Sequence, residues 1–526
     1  MQGVVDERFL LVAARMPGND FRAAGDLDLI DVTSHQHILV PAADLATSSS
    51  ICVARGDGIG PEIMGAVLDV LSRAGAHLDI REVEIGSRAV NQGFASGISP
   101  LAWRILKERK VLLKAPTGGR AETQLRDPNA TIRKSLGLFA SVRPSEAYHP
   151  YISSPHPDMR ITIIRENEED LYAGIEHRHT HDVAQCLKLI SRSGSERVIR
   201  YAFEYARLNG RRKVTCFTKD SVMRLTDGMF RQVFETVATE YPKIESQHFL
   251  VDTGIARFVS CPEAFDVVVL PNVYGDILSD VAAELSSSLA VSPVANMGYH
   301  GAMFEASHGC GHDLAGRDLA NPSALLRAAV MMLNYVGQGE VASRIHNAWL
   351  RTLEDGLHTA DVAPQHPKAK RLGTQQFAQA VVSRLGSAPR VLTSRTPRLP
   401  KPDEPSTATF RATPREQKHL IGVDVFLHWR GSRPDVLARR LRAVSLGALT
   451  LTLISNRGLA VWPRGMHQTV FTDHWRCRFK SLDGQLTHRH VAELLQDLAT
   501  AHFDFVKTEN LYDFDEIAGY SHGHGI

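Results

Sequence analysis

The chain lacks the features that mark secreted, membrane-spanning and nucleic-acid-binding proteins. Its six cysteines among 526 residues form no C-x-x-C pair, so we expect reduced thiols and neither a disulfide framework nor a cysteine zinc site. No apolar run reaches the roughly 20 residues that span a bilayer. The formal net charge is only +2, which gives no basic surface for nucleic acid. We therefore expect a cytoplasmic protein with no membrane and no nucleic-acid partner.

The amino-terminal segment also lacks what a targeting peptide needs. Residues 1–50 contain no lysine, three arginines and seven acidic residues, unlike a secretory or organelle leader. Residues 1–48 are therefore an extension to which the sequence assigns no role.

From residue 49 to residue 387, strand-like apolar runs alternate with helix-length segments, which is typical of an α/β fold. The predicted strands are Ile51–Ala54, Val111–Lys114, Ile161–Ile164, Val214–Phe217 and Val267–Leu270. The predicted helices are Pro61–Ala74, Glu196–Leu208, Met223–Tyr241 and Ser323–Tyr335. This region is predicted to form the core.

A change of composition separates the core from a second domain. Residues 388–417 hold six prolines among Ser, Thr and Arg, which indicates an extended linker. Residues 418–516 then alternate in a βαβββαβ order, which predicts a small α+β domain of ferredoxin-like type. Residues 517–526 remain as a tail.

The most informative motif follows the predicted strand that ends at Leu270. If Gly275 opens a helix, Asp276 and Asp280 lie one turn apart on one face. Carboxylate oxygens are the ligands that Mg²⁺ and Mn²⁺ prefer, although such a pair is more often a solvated helix face. The preceding strand favours the metal site, because ligands bind where the strands of an α/β sheet end.

Other segments carry groups suited to an anionic substrate. Arg133, Arg143 and Arg165 could hold several carboxylates, because arginine binds carboxylates bidentately; surface ion pairs are the simpler alternative. Tyr172 and Lys219 could act as acid and base beside a metal, or be a packed aromatic and a surface cation. The loop Gly56–Glu62 could bring its backbone close to a phosphate, although the signal is weak alone.

Together and in this order, the motifs resemble the decarboxylating β-hydroxyacid dehydrogenases, that is, the isocitrate and isopropylmalate dehydrogenase family. The resemblance covers about residues 51–385. It is carried by G-D-G-I-G-P-E, S-V-R-P, R-E-N-x-E-D-L-Y-A-G-I-E, G-D-I-L-S-D and F-E-A-x-H-G. Segments such as Asp473–Phe479 resemble the extra carboxy-terminal domain of the longer bacterial isocitrate dehydrogenases.

The resemblance implies a core of two α/β subdomains that oxidatively decarboxylates isocitrate, a tricarboxylate, to 2-oxoglutarate with Mg²⁺ or Mn²⁺ and NAD(P)⁺. It also implies a homodimer with shared active sites, to which the partner contributes Lys219 and Asp252. The implied catalytic residues are Tyr172, which protonates the enol, and Lys219. The implied substrate ligands are Asp127, Asn129, Arg133, Arg143 and Arg165, and the implied metal ligands are Asp252, Asp276 and Asp280. The implied cofactor-binding residues are Glu305, His308, Gly309, Asp313, Leu314 and Asn321.

The resemblance also predicts which dinucleotide binds. NADP-using relatives carry Lys-Tyr where this chain has Asp313-Leu314, and later Tyr and Arg residues where it has Ala360 and Pro364. An acid beside a 2′-phosphate is repulsive, so we expect NAD to be favoured over NADP.

The chain departs from the family pattern in its substrate and cofactor loops. Asp127 stands where the family has a serine that contacts isocitrate, and Cys310-Gly311-His312 replaces the usual small residue followed by Ala and Pro. Two alternatives therefore stay open. One is a related 2-hydroxy-acid substrate of the homoisocitrate type, and the other is a catalytically impaired paralogue with a regulatory or assembly role.

Overall fold

The predicted alternation of strands and helices builds a large mixed sheet covered by helices on both faces. A computed structural model describes residues 48–118, 128–363, 369–395, 416–444, 447–465, 469–481 and 484–522. The strands before residue 390 are β1 (Ser49–Ala54), β2 (Leu78–Glu82), β3 (Val111–Lys114), β4 (Ala140–Glu146), β5 (Arg160–Glu166), β6 (Glu176–Arg178), β7 (Ala184–Cys186), β8 (Lys213–Thr218), β9 (Glu245–Leu250), β10 (Val267–Leu270), β11 (Pro293–Met297), β12 (Ala302–Ala306), β13 (Leu357–His358) and β14 (Lys370–Arg371).

The helices of this region fill the positions between those strands. They are α1 (Gly60–Arg73), α2 (Ser87–Asn91), α3 (Pro100–Arg109), α4 (Pro128–Ser135), α5 (Arg192–Leu208), α6 (Thr226–Ala238), α7 (Val251–Ser260), α8 (Asn272–Ser286), α9 (Ser323–Tyr335), α10 (Gly339–Glu354) and α11 (Thr374–Val382). The α/β class and the predicted strands are confirmed. The helix predicted to open at Gly275 begins three residues earlier, at Asn272.

Ten of the strands form one sheet in the order β2-β1-β3-β12-β11-β4-β5-β10-β8-β9. The four strands at each edge run parallel to one another, whereas the pairs β12–β11, β11–β4 and β4–β5 are antiparallel. The sheet therefore consists of two parallel halves that point in opposite directions, joined through β11 and β4. Val267–Leu270 is fully buried, as expected for a parallel strand covered on both faces.

The register at this junction places the predicted arginines together. Ser141 of β4 pairs with Arg165 of β5, and Arg165 also pairs with Leu270, the last residue of β10. Helix α8 starts two residues after Leu270. Arg143, Arg165 and the first turn of α8 therefore meet where β5 and β10 end.

The carboxy-terminal domain is a separate six-stranded antiparallel sheet with two helices. Its elements are β15 (Lys418–His428), α12 (Pro434–Arg442), β16 (Leu449–Asn456), β17 (Leu459–Trp462), β18 (His474–Ser481), α13 (His488–Thr500), β19 (Phe505–Phe514) and β20 (Ile517–Ala518). The strand order is β17-β16-β18-β15-β19-β20. The four central strands follow the order of a ferredoxin-like βαββαβ unit, with β17 and β20 added at the edges.

The structure differs from the predicted segment boundaries at two places. The backbone N–H groups of Val391 and Leu392 donate to Glu354 at the end of α10, at 2.8 and 2.7 Å, so the first part of the predicted linker is docked. The tail predicted from residue 517 enters the sheet as β20, and Arg478 donates to the Ser521 carbonyl at 2.9 Å. Residues 1–47 of the predicted extension and residues 396–415 of the predicted linker lie outside the described residues.

The hairpin β6–β7 lies against the carboxy-terminal domain. Thr180 donates to Asp473 at 2.7 Å, and ring nitrogens of His179 and His474 are 3.0 Å apart. Across the described ranges, no helix combines the length and the apolar composition that crossing a membrane requires.

Candidate active site

Helix α8 carries the predicted acidic pair into a cluster of arginines. Asp276 and Asp280 lie one turn apart, and both face Arg143, whose Nη atoms are 3.2 Å from Asp276 Oδ1 and 3.5 Å from Asp280 Oδ1. Arg143 also donates to Ser279 Oγ at 2.7 Å. The pair is therefore part of a charged cluster and does not form a merely solvated helix face.

Arg165 is held against the same helix from the strand below. Its Nη1 forms a short ion pair with Asp276, and its Nε and Nη2 donate to Asn272 Oδ1 at 2.9 and 2.7 Å. The Arg165 side chain is only 2% exposed. A Cβ atom at Gly275 would lie 2.7 Å from the Cβ and Cγ of Arg165, so glycine is required for this close approach.

Tyr172 completes the cluster from the short turn after β5. Its hydroxyl donates to Asp276 Oδ2 in a short hydrogen bond, and the Arg165 guanidinium lies 4.8 Å from the centre of its ring. Burial and the hydrogen bond to Asp276 raise the pKa of Tyr172. At neutral pH the phenol is therefore protonated, as a proton donor must be.

The pKa values of Asp276 and Asp280 are shifted in opposite directions. Burial alone would raise the pKa of Asp276, but Arg165 and Arg143 outweigh it and lower the pKa. The pKa of Asp280 is raised, mainly by burial, with Arg143 opposing and Asp276 adding to the rise. Two carboxylates one turn apart offer the hard oxygen ligands that suit Mg²⁺ or Mn²⁺.

Lys219 and Asp252 form a separate pair. Lys219 Nζ lies 2.7 Å from Asp252 Oδ1, and the Asp252 side chain is 62% exposed. Within the described part of this single chain, no three His, Cys, Asp or Glu side chains are placed to hold a metal. The three predicted metal ligands therefore do not converge within one protomer.

The remaining predicted substrate residues lie on or before α4. Arg133 is buried, and its Nε has no hydrogen-bond partner among the described residues. Asn129 accepts from the Thr117 hydroxyl at 2.9 Å. Asp127 falls in the range 119–127, outside the described residues, so its predicted contact with substrate stays a prediction.

The glycine-rich loop after β1, Gly56–Glu62, packs against other backbone segments and does not form an open phosphate-binding loop. A Cβ atom at Gly58 would lie 2.0 Å from the Cys310 carbonyl oxygen, and Gly58 has a φ of +58°. Asp57 accepts from the Gly118 N–H at 3.1 Å and from the Ser87 hydroxyl at 2.6 Å. The loop therefore joins the protein's own backbone segments, and its glycines are explained by that packing.

A buried polar network that sequence reasoning missed lies under the cofactor side. Glu305, predicted to bind cofactor, has both oxygens engaged: Oε2 pairs with Lys114 at 2.9 Å and Oε1 accepts from Asn296 at 2.8 Å. Burial would raise the pKa of Glu305, but Lys114 and Arg133 hold it below its usual value. Lys114 could have been found, because it ends a predicted strand, where ligand groups collect in α/β proteins.

The other predicted cofactor residues lie on the loop after β12 and on the turn that starts α9. Asn321 accepts from the Ser323 N–H at 2.9 Å and donates to Asp361 at 3.0 Å. His308 Nε2 is buried without a partner among the described residues, as is Nδ1 of His358. Burial lowers the pKa of both imidazoles, so both are neutral at pH 7.

The exposed part of this loop contains Asp313, with Leu314 partly buried behind it and Gly309 open to solvent. Arg317 donates to the Asp313 carbonyl at 3.3 Å. A cation and an acid therefore share this turn.

Residues 50–381 match the family described as isocitrate/isopropylmalate dehydrogenase. The chain belongs to that family. Residues 418–526 match the family described as the carboxy-terminal domain of bacterial isocitrate dehydrogenase, which confirms the long bacterial form. This match extends through the predicted tail, in agreement with the position of β20.

Curated and solved relatives agree with this assignment. The chain is 45% identical over 489 residues to "Isocitrate dehydrogenase [NADP]" of Rickettsia felis, covering 91% of this chain and 100% of that protein. It is 46% identical over 482 residues to the protein of the same name from Rickettsia bellii, with the same coverage. A crystal structure of a protein from Thermus thermophilus superposes with a TM-score of 0.82 at 38% identity, covering 90% of this chain and 95% of that chain.

The predicted preference for NAD is wrong, because these curated relatives are named for NADP. The structure gives a physical reason why Asp313 is a poor guide. Its side chain is exposed, so water and salt screen its charge. In addition, Arg317 contacts the Asp313 main-chain carbonyl and places a positive charge on the same turn.

Proposed function

We propose that this protein catalyses the oxidative decarboxylation of isocitrate to 2-oxoglutarate with NADP⁺ and a divalent metal. The observation that supports this most directly is the convergence of Arg143, Arg165 and Tyr172 on Asp276. It occurs in a chain that is 45% and 46% identical, over 91% of its length, to two proteins named as NADP isocitrate dehydrogenases.

The arginines of the cluster would bind the substrate. Arg133, Arg143 and Arg165 would hold the carboxylates of a tricarboxylate, since planar guanidinium groups match carboxylate geometry. Burial of Arg165 beside Arg143 lowers its pKa to about 10, so it stays charged at pH 7. The proximity of these cations to one another favours an anionic ligand between them.

The metal would be held by Asp276 and Asp280, with Asp252 contributed by a partner. When bound, it would stabilise negative charge that develops on the substrate oxygen during decarboxylation. Lys219, contributed like Asp252 by a partner, would help to remove the hydroxyl proton as the substrate loses hydride to NADP⁺. Tyr172, kept protonated by its surroundings, would then deliver a proton to the enol carbon.

The NADP⁺ adenosine would be held by the loop after β12. One ring nitrogen each of His308 and His358 has no hydrogen-bond partner among the described residues, which fits a ligand that offers several polar groups. Arg317 would attract the 2′-phosphate, and Asn321 would keep the loop fixed to the start of α9.

A homodimer is the second part of this proposal. Large apolar side chains are exposed on the segments that carry the candidate residues: Val222 at 60%, Leu225 at 48% and Ile277 at 56%. Clusters of exposed apolar residues mark protein–protein contacts. A second copy covering them would bring its Lys219 and Asp252 toward Asp276.

A cytoplasmic location stays a prediction.

The activity is tested by incubating the full chain with isocitrate, Mg²⁺ or Mn²⁺, and NADP⁺. We expect NADPH absorbance and stoichiometric 2-oxoglutarate, with loss of the signal in EDTA and recovery on adding Mn²⁺. If the folded protein gives no signal with NADP⁺ or NAD⁺, the enzyme proposal fails for this substrate. Homoisocitrate and the variant Asp127→Ser then separate a changed substrate from an impaired pocket.

Shared sites are tested by complementation. Tyr172→Phe and Lys219→Met homodimers should both be nearly inactive. When the two variants are co-expressed, each mixed dimer should contain one intact site and regain activity, because Tyr172 and Lys219 of one site come from different chains. Mixed dimers that stay inactive would contradict sharing without contradicting the reaction.

A further inference from the structure

A cavity with several charged side chains in its lining lies between the sheet and the helices of the core, and none of the candidate active-site residues lines it. Its volume is about 270 Å³, on the order of the smaller ligand pockets (about 300 Å³). Strands β4 and β5 and helix α5 form one side, and helices α9 and α10 form the other. We call it the arginine cavity, after its charged lining: Glu146, Arg160, Arg211, Arg327, His346 and Arg395.

Positive charge exceeds negative charge in this cavity. Glu146 forms short ion pairs with Arg395 and lies 3.5 Å from Arg160 Nε. Arg211 Nη1 pairs with Asp266, just outside the lining, at 2.8 Å. Four guanidinium groups are thus matched by two carboxylates, and two positive charges remain.

Two of the lining groups are buried and incompletely hydrogen-bonded. Arg327 and His346 are 6% and 9% exposed. Arg327 Nε and His346 Nε2 have no hydrogen-bond partner within the described ranges. Buried polar atoms are nearly always paired, so these two require a partner that the described part of the chain does not supply.

The Arg327 guanidinium is fixed in place by its other contacts. It lies 5.1 Å from the ring centre of Tyr148 and 5.4 Å from that of Trp349, and Nη1 donates to the Val291 carbonyl. Burial, followed by Arg327 and Arg395, lowers the pKa of His346 to about 3. His346 is therefore a neutral imidazole that can donate or accept one hydrogen bond.

Arg395 reaches the cavity from the carboxy-terminal side of the core. Its backbone N–H donates to Asn347 Oδ1 at 2.8 Å, and Asn347 donates back to the Arg395 carbonyl at 2.9 Å. The segment that leads toward the carboxy-terminal domain thereby supplies one of the four guanidinium groups.

We propose that the arginine cavity is a binding site for a small multiply charged oxyanion, such as an organic phosphate or a di- or tricarboxylate. The anion would neutralise the excess guanidinium charge and accept from Arg327 and His346. Because it would contact the strand side and the helix side together, its binding would tie these two parts of the core to each other.

The test is calorimetric titration of the full-length protein, with isocitrate and Mg²⁺ saturating and no NADP⁺, so that other arginines are occupied. The probes are inorganic phosphate, 3-phosphoglycerate and malonate, which distinguish phosphate from carboxylate recognition. We expect one saturable site per chain for at least one probe. Arg160→Gln and Arg395→Gln should each weaken that binding about tenfold, as expected for the loss of one charge-assisted hydrogen bond.

Arg439→Gln, which removes an exposed arginine of the carboxy-terminal domain, is the matched control and should leave binding unchanged. Arg160 has a half-exposed side chain, so its variant should fold even if Arg395→Gln does not. Absence of saturable binding by all three probes would overturn the proposal. So would binding that persists unchanged in the folded Arg160→Gln protein, because the anion would then be bound elsewhere.

Discussion

The substrate side and the cofactor side of the candidate site are built in different ways. On the substrate side, Arg143 and Arg165 come from buried strands and are fixed by ion pairs to Asp276. On the cofactor side, Asp313 and Arg317 lie on an exposed loop and meet only through a backbone carbonyl. The arginines of the substrate side are therefore held by several contacts each, whereas the charges of the exposed loop are less constrained.

This difference explains how strongly a charged residue in a motif constrains its surroundings. A buried charge is costly unless it is paired, so a buried charged residue in a motif constrains its neighbours. An exposed charge is screened by solvent and constrains little. Arg165, whose side chain is 2% exposed, is therefore held by Asp276, whereas the exposed Asp313 pointed to the wrong dinucleotide.

The largest effect is expected on the substrate side, from Asp276→Asn. The variant removes one expected metal ligand and the shared partner of Arg143, Arg165 and Tyr172. We expect kcat/KM for isocitrate to fall by at least about a thousandfold, since metal and electrostatic stabilisation supply several kcal/mol. Steady-state kinetics over a range of Mn²⁺ concentrations measure it.

Glu284→Gln is the matched control, because it makes the same charge change at an exposed position further along α8, beyond Asp280. It should leave kcat/KM nearly unchanged. Equal losses in both variants would mean that the helix contributes only general charge and that Asp276 has no special role.

The next largest effect is expected from Tyr172→Phe, which removes the phenolic proton but keeps the ring beside Arg165. Loss of a general acid lowers kcat by about a hundred- to ten-thousandfold, with little change in KM. Tyr274→Phe on the same helix as Asp276 is the control, since its hydroxyl lies near Lys188 at 3.4 Å and away from the cluster. A fall in kcat of the same size in both variants would argue against a proton donor at Tyr172.

Burial on the substrate side also predicts a pH-dependent change in stability at Glu166. Burial raises the pKa of this carboxyl from 4.5 to about 7, despite hydrogen bonds from the backbone N–H groups of Glu168 and Glu169. Between pH 4.5 and 7 the folded state binds more protons than the unfolded state, so the free energy of unfolding falls as pH rises. The loss is complete above pH 7 and amounts to at most about 3 kcal/mol.

Glu166→Gln should therefore be neutral near pH 4 and stabilising at pH 8, measured by denaturant unfolding at both values. Glu176→Gln, an exposed position on β6, should change stability little at either pH. A Glu166→Gln protein that is destabilised equally at both pH values would show that the carboxylate is needed in its charged form.

Much of the fold could be predicted from the sequence, because the buried parallel strands are short apolar runs between helices. Val267–Leu270 and Ser323–Tyr335 coincide with the predicted elements. The order of strands across the sheet could not be predicted, because it depends on antiparallel pairing of β4 with β5 and β11, which has no local signal. Gly275 was wrongly predicted to mark the start of α8, because glycine is needed there for the close approach of Arg165 and lies inside the helix.

The sequence points to a candidate site residue only where that residue belongs to a motif with a recognisable chemical role. Lys114 and Asn296 were missed as partners of Glu305, because no spacing rule links them to it. Convergence of Asp252 with the other aspartates stays a prediction, because it involves a partner protomer.

The smallest predicted effect addresses the exposed side directly. Arg317→Ala should lower kcat/KM for NADP⁺ about tenfold, as expected for one exposed charge-assisted contact to the 2′-phosphate. The value for NAD⁺ should stay the same, because NAD⁺ lacks that phosphate, so the ratio of the two is an internal control. If both values fall together, Arg317 positions the loop through the Asp313 carbonyl and does not read the phosphate. In that case, dinucleotide choice would depend on residues that hold the loop in place, as the ion pairs hold the arginines on the buried side, and not on a direct contact with the phosphate.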